Sequence, residues 1–152
     1  MPRAYPSRPV VGVGAVVWKN DRVLLARRGH PPKQGSWTLP GGAQDVGETV
    51  AETAVREIRE ETGLEIDIVD VVAVVDLIER DADGKVAYHY TVIDVLAEWR
   101  AGEAVAADDA EAVAWVHPDD LDSYHLSGDA RRVIGMAQRR RLAVVGEGDL
   151  PE

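Results

Sequence analysis

The stretch GAQDVGETVAETAVREIREETGL, Gly42 to Leu64, decides the fold and the chemistry of this chain. Within it Glu57, Glu60 and Glu61 stand three and four residues apart, a spacing that stacks them on one face of a helix. Like charges so placed destabilise a helix by roughly 0.2–0.5 kcal/mol per pair. A hard divalent cation removes that penalty, because Mg2+ takes oxygen ligands and is held by a few carboxylates together with substrate phosphates. The segment is therefore expected to be a metal-dependent site for phosphate chemistry. Thr49-Val50-Ala51-Glu52 fits a capping box at the helix start, and Gly63 stands where a left-handed C-terminal cap is wanted. Ala51, Ala54, Val55 and Ile58 form the apolar stripe expected to dock the helix, leaving the glutamates to face a cleft.

The stretch resembles the Nudix box of pyrophosphohydrolases, G-x5-E-x7-R-E-U-x-E-E-x-G-U with U aliphatic. Gly42, Glu48, Arg56, Glu57, Ile58, Glu60, Glu61, Gly63 and Leu64 fill its fixed positions. An isolated E-x-x-E-E run reads as a solvated acidic helix face; the remaining residues in register make the match specific. The likeness in pattern extends from Val10 to Val116. It implies an α/β fold, an α/β/α sandwich with a mixed sheet, and water attack on phosphorus in a P–O–P linkage, with Mg2+ as cofactor and Mn2+ able to substitute.

Carried over residue by residue, the resemblance makes Glu60 and Glu61 the main metal ligands. Glu57 either binds metal or acts as the base that orients or deprotonates water. Arg56 pairs with Glu48 or Glu57 and holds the carboxylates in place. Gly41 and Gly42 let a backbone carbonyl face the metal. Glu111 is the candidate for an additional metal carboxylate, with Asp108 and Asp109 competing in the same loop. Arg27 and Arg28 alternate to opposite faces of a strand leading to the cleft, and Arg28 is the better candidate for a phosphate contact.

Length and composition set the remaining bounds. At 152 residues the chain is one domain, and 45% hydrophobic with 29% charged residues is a globular composition. With no cysteine, disulfides, thiolate metal sites and a cysteine-dependent isoprenoid isomerase are excluded. A net charge of −10 argues against general nucleic-acid or anionic-membrane binding. The early apolar run Val10 to Trp18 is half a membrane span and lacks a signal-peptide pattern, so a cytoplasmic location is expected. The sequence is compatible with a homodimer.

Residues 1–9 read as an extended arm, 10–145 as the single domain and 146–152 as a disordered tail. Val10 to Trp18 and Arg22 to Arg28 read as a hairpin, followed by a loop over 29–36 and a short extended piece, Trp37 to Pro40. Leu64 to Glu79 and Lys85 to Trp99 read as long strands around a turn at Asp81 to Gly84. Ala101 to Ala110 reads as a loop, Ala112 to Val116 as the last strand, and His117 to Leu121 as a short helix with proline in its first turn. Asp129 to Leu142 reads as a helix whose arginines form a solvated face. Trp18, Trp37, Tyr88 and Tyr90 are candidates for base stacking, although aromatics on strands are usually core, and His89 reads as a packed core histidine.

Three functions fit. The best is hydrolysis of ADP-ribose to AMP and ribose 5-phosphate. MutT-like release of pyrophosphate from nucleoside triphosphates is the alternative. A non-catalytic nucleotide sensor is the third, disfavoured by the whole box. The family's ADP-ribose enzymes often carry a proline a short way past the box, where this chain has Glu79 and Arg80.

Overall fold

Valines alternating with small residues make Val10–Lys19 a strand, β1, that packs on both faces. Val13, Ala15 and Val17 join one core cluster, while Val16 and Trp18 join the other. The computed structural model describes residues 4–31 and 33–148, with side chains through residue 144. The strands that follow are β2 (Arg22–Arg28), β3 (Trp37–Thr38), β4 (Gly41–Ala43), β5 (Glu65–Arg80), β6 (Val86–Ala101) and β7 (Ala110–Val116). Two α-helices, α1 (Val50–Thr62) and α2 (Gly128–Gly148), and a 3-10 helix at Pro118–Tyr124 complete the chain. All seven strands form a mixed sheet in which β1 runs parallel to β6 and the other pairings are antiparallel. Ile58 of α1 packs into one core cluster and Val133 and Ile134 of α2 into the other, giving the expected α/β/α sandwich.

A fork in β1 positions the site. Gly12, Val13 and Gly14 pair with β4, whereas Trp18 and Lys19 pair with β2, which carries β3 and β7 on its other pairings. The two arms diverge and a cleft opens between them. The glycine pair Gly41-Gly42 is part of β4. Glycine permits this, because a Cβ on Gly41 would lie 2.0 Å from the Val13 carbonyl oxygen.

Helix α1 begins as expected. Glu52 N–H donates to Thr49 Oγ1 at 3.1 Å and Thr49 N–H donates to Glu52 Oε1 at 3.0 Å. It ends at Gly63 in the left-handed region, φ 75°, with Gly63 N–H donating to the Arg59 carbonyl. Carbonyls of Glu61 and Thr62, left open by the helix end, accept from Ala107 and Val105. The acidic loop is thereby tied to the helix.

Several expectations need correction. Ala51 is exposed; the docking stripe uses Thr53, Ala54, Ile58 and Thr62, flanked by Val50 and Val55, because the helix sits rotated toward its threonines. Helix α2 continues past Val145 through Gly148, beyond the point where the disordered tail was expected to begin. The tail's last residues, 149–152, and residues 1–3 of the arm lie outside the described residues. The α2 arginines are not simply solvated. Arg140 Nε lies 2.8 Å from Asp70 on β5, and Arg141 makes a two-pronged contact with Glu98 on β6 at 2.7 and 2.9 Å. Arg141 also donates to the Asn20 carbonyl, and its guanidinium lies 5.1 Å from the Trp18 ring. Trp18 is core; Trp37 meets Tyr124 edge-on at 5.0 Å, and His89 is half-buried. No helix among the described residues is long and apolar enough to cross a membrane.

The Arg141 contacts should hold α2 to the sheet. Arg141→Met, which keeps the apolar stem, is expected to lower unfolding free energy by about 1–2 kcal/mol, from the lost charged hydrogen bonds and ring contact. Urea denaturation measures it; an unchanged midpoint would mean the contacts give no net stabilisation.

Candidate active site

Arg56 projects from the middle of α1 toward the loop before it. Its Nε lies 2.6 Å from Glu48 Oε2 and its Nη2 2.9 Å from Glu48 Oε1, a fork-on-carboxylate pair. Nη1 reaches Glu57 at 2.9 Å and Glu60 at 3.2 Å, and Nη2 also donates to the Ala43 carbonyl at 3.0 Å. These bonds, the Arg56 guanidinium first among the causes, hold the Glu48 carboxyl down at about 2. Arg56 itself is shifted further up, chiefly through Glu48. One guanidinium thus joins the loop, β4 and two of the three box carboxylates.

Glu57 and Glu61 lie on successive turns of α1 and line the cleft. Gly42 makes the room: a Cβ there would sit 2.3 Å from the Glu57 carboxyl carbon. Glu61 is 7% exposed, and the nearby backbone N–H of Gly41 favours its charged form. The Glu57 and Glu61 carboxyls stand close enough that the charge on one opposes the charge on the other. Burial, with the adjacent Glu57 charge second in effect, pushes Glu61 up to about 8. Burial also raises Glu57, against the pull of Arg56.

Glu60 is exposed and turned to Arg56. Among the described residues no three His, Asp or Glu side chains stand in ready coordination geometry. The donor chemistry nonetheless fits a hard divalent cation. Buried Glu61 and half-buried Glu57 stand together where a second negative charge is disfavoured, and both offer hard oxygen donors. A cation there would offset the repulsion between Glu57 and Glu61, with Glu60 one turn away.

The cleft has a volume of about 570 Å³. Arg27 and Arg28 both line it, despite the expected alternation, and β2 changes register against β7 between these two residues. Arg27 Nε lies 2.7 Å from Glu111 Oε1, close enough for an ion pair but not aligned as a hydrogen bond. Glu111 is therefore engaged with Arg27, and it is Asp109 that lines the cleft and whose charge raises Glu61. Tyr90 lines the cleft, whereas Tyr88 and Trp37 do not. Sequence reading missed Asp94, a buried cleft residue on β6. The signal was there: an acid interrupting the apolar run Val92-Ile93-Asp94-Val95-Leu96.

Comparison with known proteins agrees with this geometry. The NUDIX domain family model matches residues 8–135. An ADP-ribose pyrophosphatase of Methanocaldococcus jannaschii is 35% identical over 83% of this chain and 71% of its own length. The crystal structure of a MutT NUDIX hydrolase from Burkholderia pseudomallei has a TM-score of 0.74 at 33% identity, covering 86% of this chain and 98% of that one. A CTP pyrophosphohydrolase of Escherichia coli is 27% identical over 76% of this chain and 81% of its own length. With its box residues gathered around one guanidinium at the mouth of the fork, the chain belongs to the Nudix family of hydrolases.

Proposed function

We propose that this protein hydrolyses the pyrophosphate linkage of a nucleoside diphosphate derivative, with ADP-ribose yielding AMP and ribose 5-phosphate. The observation that carries the reaction class is the pair of half-buried Glu57 and buried Glu61 on the cleft wall, with Glu57 held by Arg56. The similarity to the archaeal ADP-ribose pyrophosphatase supports the substrate. A bond forms between a water oxygen and phosphorus, the bridging P–O bond breaks, and the proton lost by water leaves through a base. Mg2+, or Mn2+ in its place, would be held by Glu57, Glu60 and Glu61, with the Gly41 backbone alongside. It supplies charge neutralisation at the phosphates and a lowered pKa for water. In this reading Glu57 is the residue nearest both tasks, ligand and base. Arg56, anchored on Glu48, fixes its carboxylate; Arg27 and Arg28 face the phosphates, and Asp109 is better placed than Glu111 to add a metal carboxylate.

A second reading is release of pyrophosphate from a nucleoside triphosphate. The similarity to the CTP pyrophosphohydrolase and to the MutT hydrolase favours it. Incubating the protein and Mg2+ with a nucleotide panel and separating products by ion exchange decides between them. AMP and ribose 5-phosphate from ADP-ribose are expected; pyrophosphate from a triphosphate at much higher kcat/KM would establish the second reading instead.

Two further outcomes are expected. Glu57→Gln should lower kcat by roughly 10²–10⁴-fold, the range for loss of a general base, with the fold intact by circular dichroism. Near-normal turnover would remove Glu57 from the chemistry.

The other concerns pH in chelator. Glu61 binds its proton more tightly folded than unfolded, since its carboxyl rises from 4.5 to about 8. The folded state then holds more protons across that window, so stability falls as pH rises from about 4.5 toward 8. Thermal melts of chelated protein should show Tm dropping across this range, and Glu61→Gln should flatten the drop. A wild-type Tm rising over the same range would contradict the assigned electrostatics.

A further inference from the structure

Asp94 has no task in the hydrolysis described above, yet it is the other buried acid of the cleft. It lies on β6, is 4% exposed, and lines the same cleft as Glu57 and Glu61. Its carboxylate accepts no hydrogen bond from any described residue. Arg132 on α2 exerts a favourable charge effect on it, but the Arg132 guanidinium donates to Asp129 at 3.2 Å and to the Met136 sulfur at 3.9 Å instead. The Asp94 oxygens are not sealed off: what little of the residue is accessible opens on the cleft, where a ligand can reach it.

The backbone opposite is cut to fit it. Gly14 pairs with Asp94 across β1 and β6, and a Cβ on Gly14 would sit 2.2 Å from Asp94 Oδ1. Gly14 pairs in turn with Gly41 of β4, whose backbone N–H acts on the Glu61 charge. Asp94, Gly14 and Gly41 therefore form one row across three strands. Two strand spacings, about 10 Å, separate the backbone of Asp94 from the backbone beside the glutamate pair. A nucleoside joined to phosphates bound at the glutamates reaches that far. Val75, Leu77, Val92 and Val133 add apolar side chains to the same cleft, Val92 lying against Gly14. Ser127, Asp76 and Asp129 also line the cleft, and a buried acceptor among a few polar groups and apolar walls is the arrangement that fixes a ligand's orientation.

We infer that Asp94 is a specificity-determining residue, its two carboxylate oxygens accepting a pair of adjacent hydrogen-bond donors on the nucleoside part of the substrate. This rests on the nucleotide reading above and deepens it. An ionised carboxylate has acceptors only, so the neighbouring acceptor and donor on the adenine or cytosine edge match it poorly. Two nucleoside features present adjacent donors: the cis-diol of ribose, and the N1–H and N2–H edge of guanine. Burial raises Asp94 to about 6, and a ligand that donates twice to the ionised form would reverse that shift.

The test is nucleotide binding followed by NMR titration, which needs no turnover. One arm compares AMP with 2′-deoxy-AMP and 3′-deoxy-AMP; the other compares GMP with IMP, which lacks the N2 amine. Wild-type protein should favour the paired-donor ligand about tenfold or more in one arm, the scale of a hydrogen bond to a charged group. The arm that shows it names the source of the donors. Asp94→Asn, the same shape without the charge, should erase that preference. Gly14→Ala, which keeps the carboxylate but displaces it, should weaken the preference as well, and serves if Asp94→Asn fails to fold. Equal binding within both arms by wild type, or a preference that survives either folded variant, overturns the assignment. Failure here is distinguishable from failure of the proposed substrate. Cleavage of ADP-ribose without any preference sinks only the role of Asp94, whereas a clear preference without cleavage sinks only the substrate.

Discussion

The Arg56 guanidinium is the constraint on which the site depends. Its donors are spread over Glu48, Glu57, Glu60 and the Ala43 carbonyl, so a single planar group fixes the approach of α1 to β4 and to the loop between them. The box carries a dense negative charge; without an internal cation those carboxylates would splay apart. Arg56 compensates part of that charge and leaves Glu61 out of its reach, buried next to Glu57. The partition matters. Carboxylates bonded to the guanidinium are held in position, and burial raises the proton affinity of both Glu57 and Glu61, most of all for the one beyond the guanidinium's reach.

Most of the fold was legible because its signals are local. The capping box at Thr49 and Glu52, the left-handed glycine at position 63 and the valine-rich strands each state their conformation within a few residues. The stacking of Glu57 and Glu61 followed from helical periodicity alone. What was not legible depends on contacts far apart in sequence. Ala51 sits at a period that fits the apolar stripe, but the rotation of α1 on the sheet is set by β1, β4 and β5 together, and it favours Thr53 and Thr62. The partners of Arg140 and Arg141 lie 70 and 43 residues away.

The candidate site divides along the same line. The box residues could be placed from spacing, whereas the wall opposite them could not. Which acid of the loop after Gly102 faces the cleft is decided by two backbone bonds to the end of α1 and by the ion pair that engages Glu111 with Arg27. Asp94 was passed over because a lone acid in a strand carries no motif. Only the register that sets it against Gly14 reveals that space was left for it.

The long β5–β6 hairpin has a consequence of its own. Strand β5 pairs with β6 alone among the described residues, and Val71, Val74 and Ile78 are exposed along it. A straight sixteen-residue border of that kind would be an open template for a strand from another molecule. The pairing instead shifts register between Ile68 and Asp70, between Val71 and Ala73, and again near each end. Each shift bends the ribbon and interrupts the even row of amide groups that a foreign strand would have to match. The irregularities that look like imperfect pairing thus act as protection against amyloid-like growth from this border.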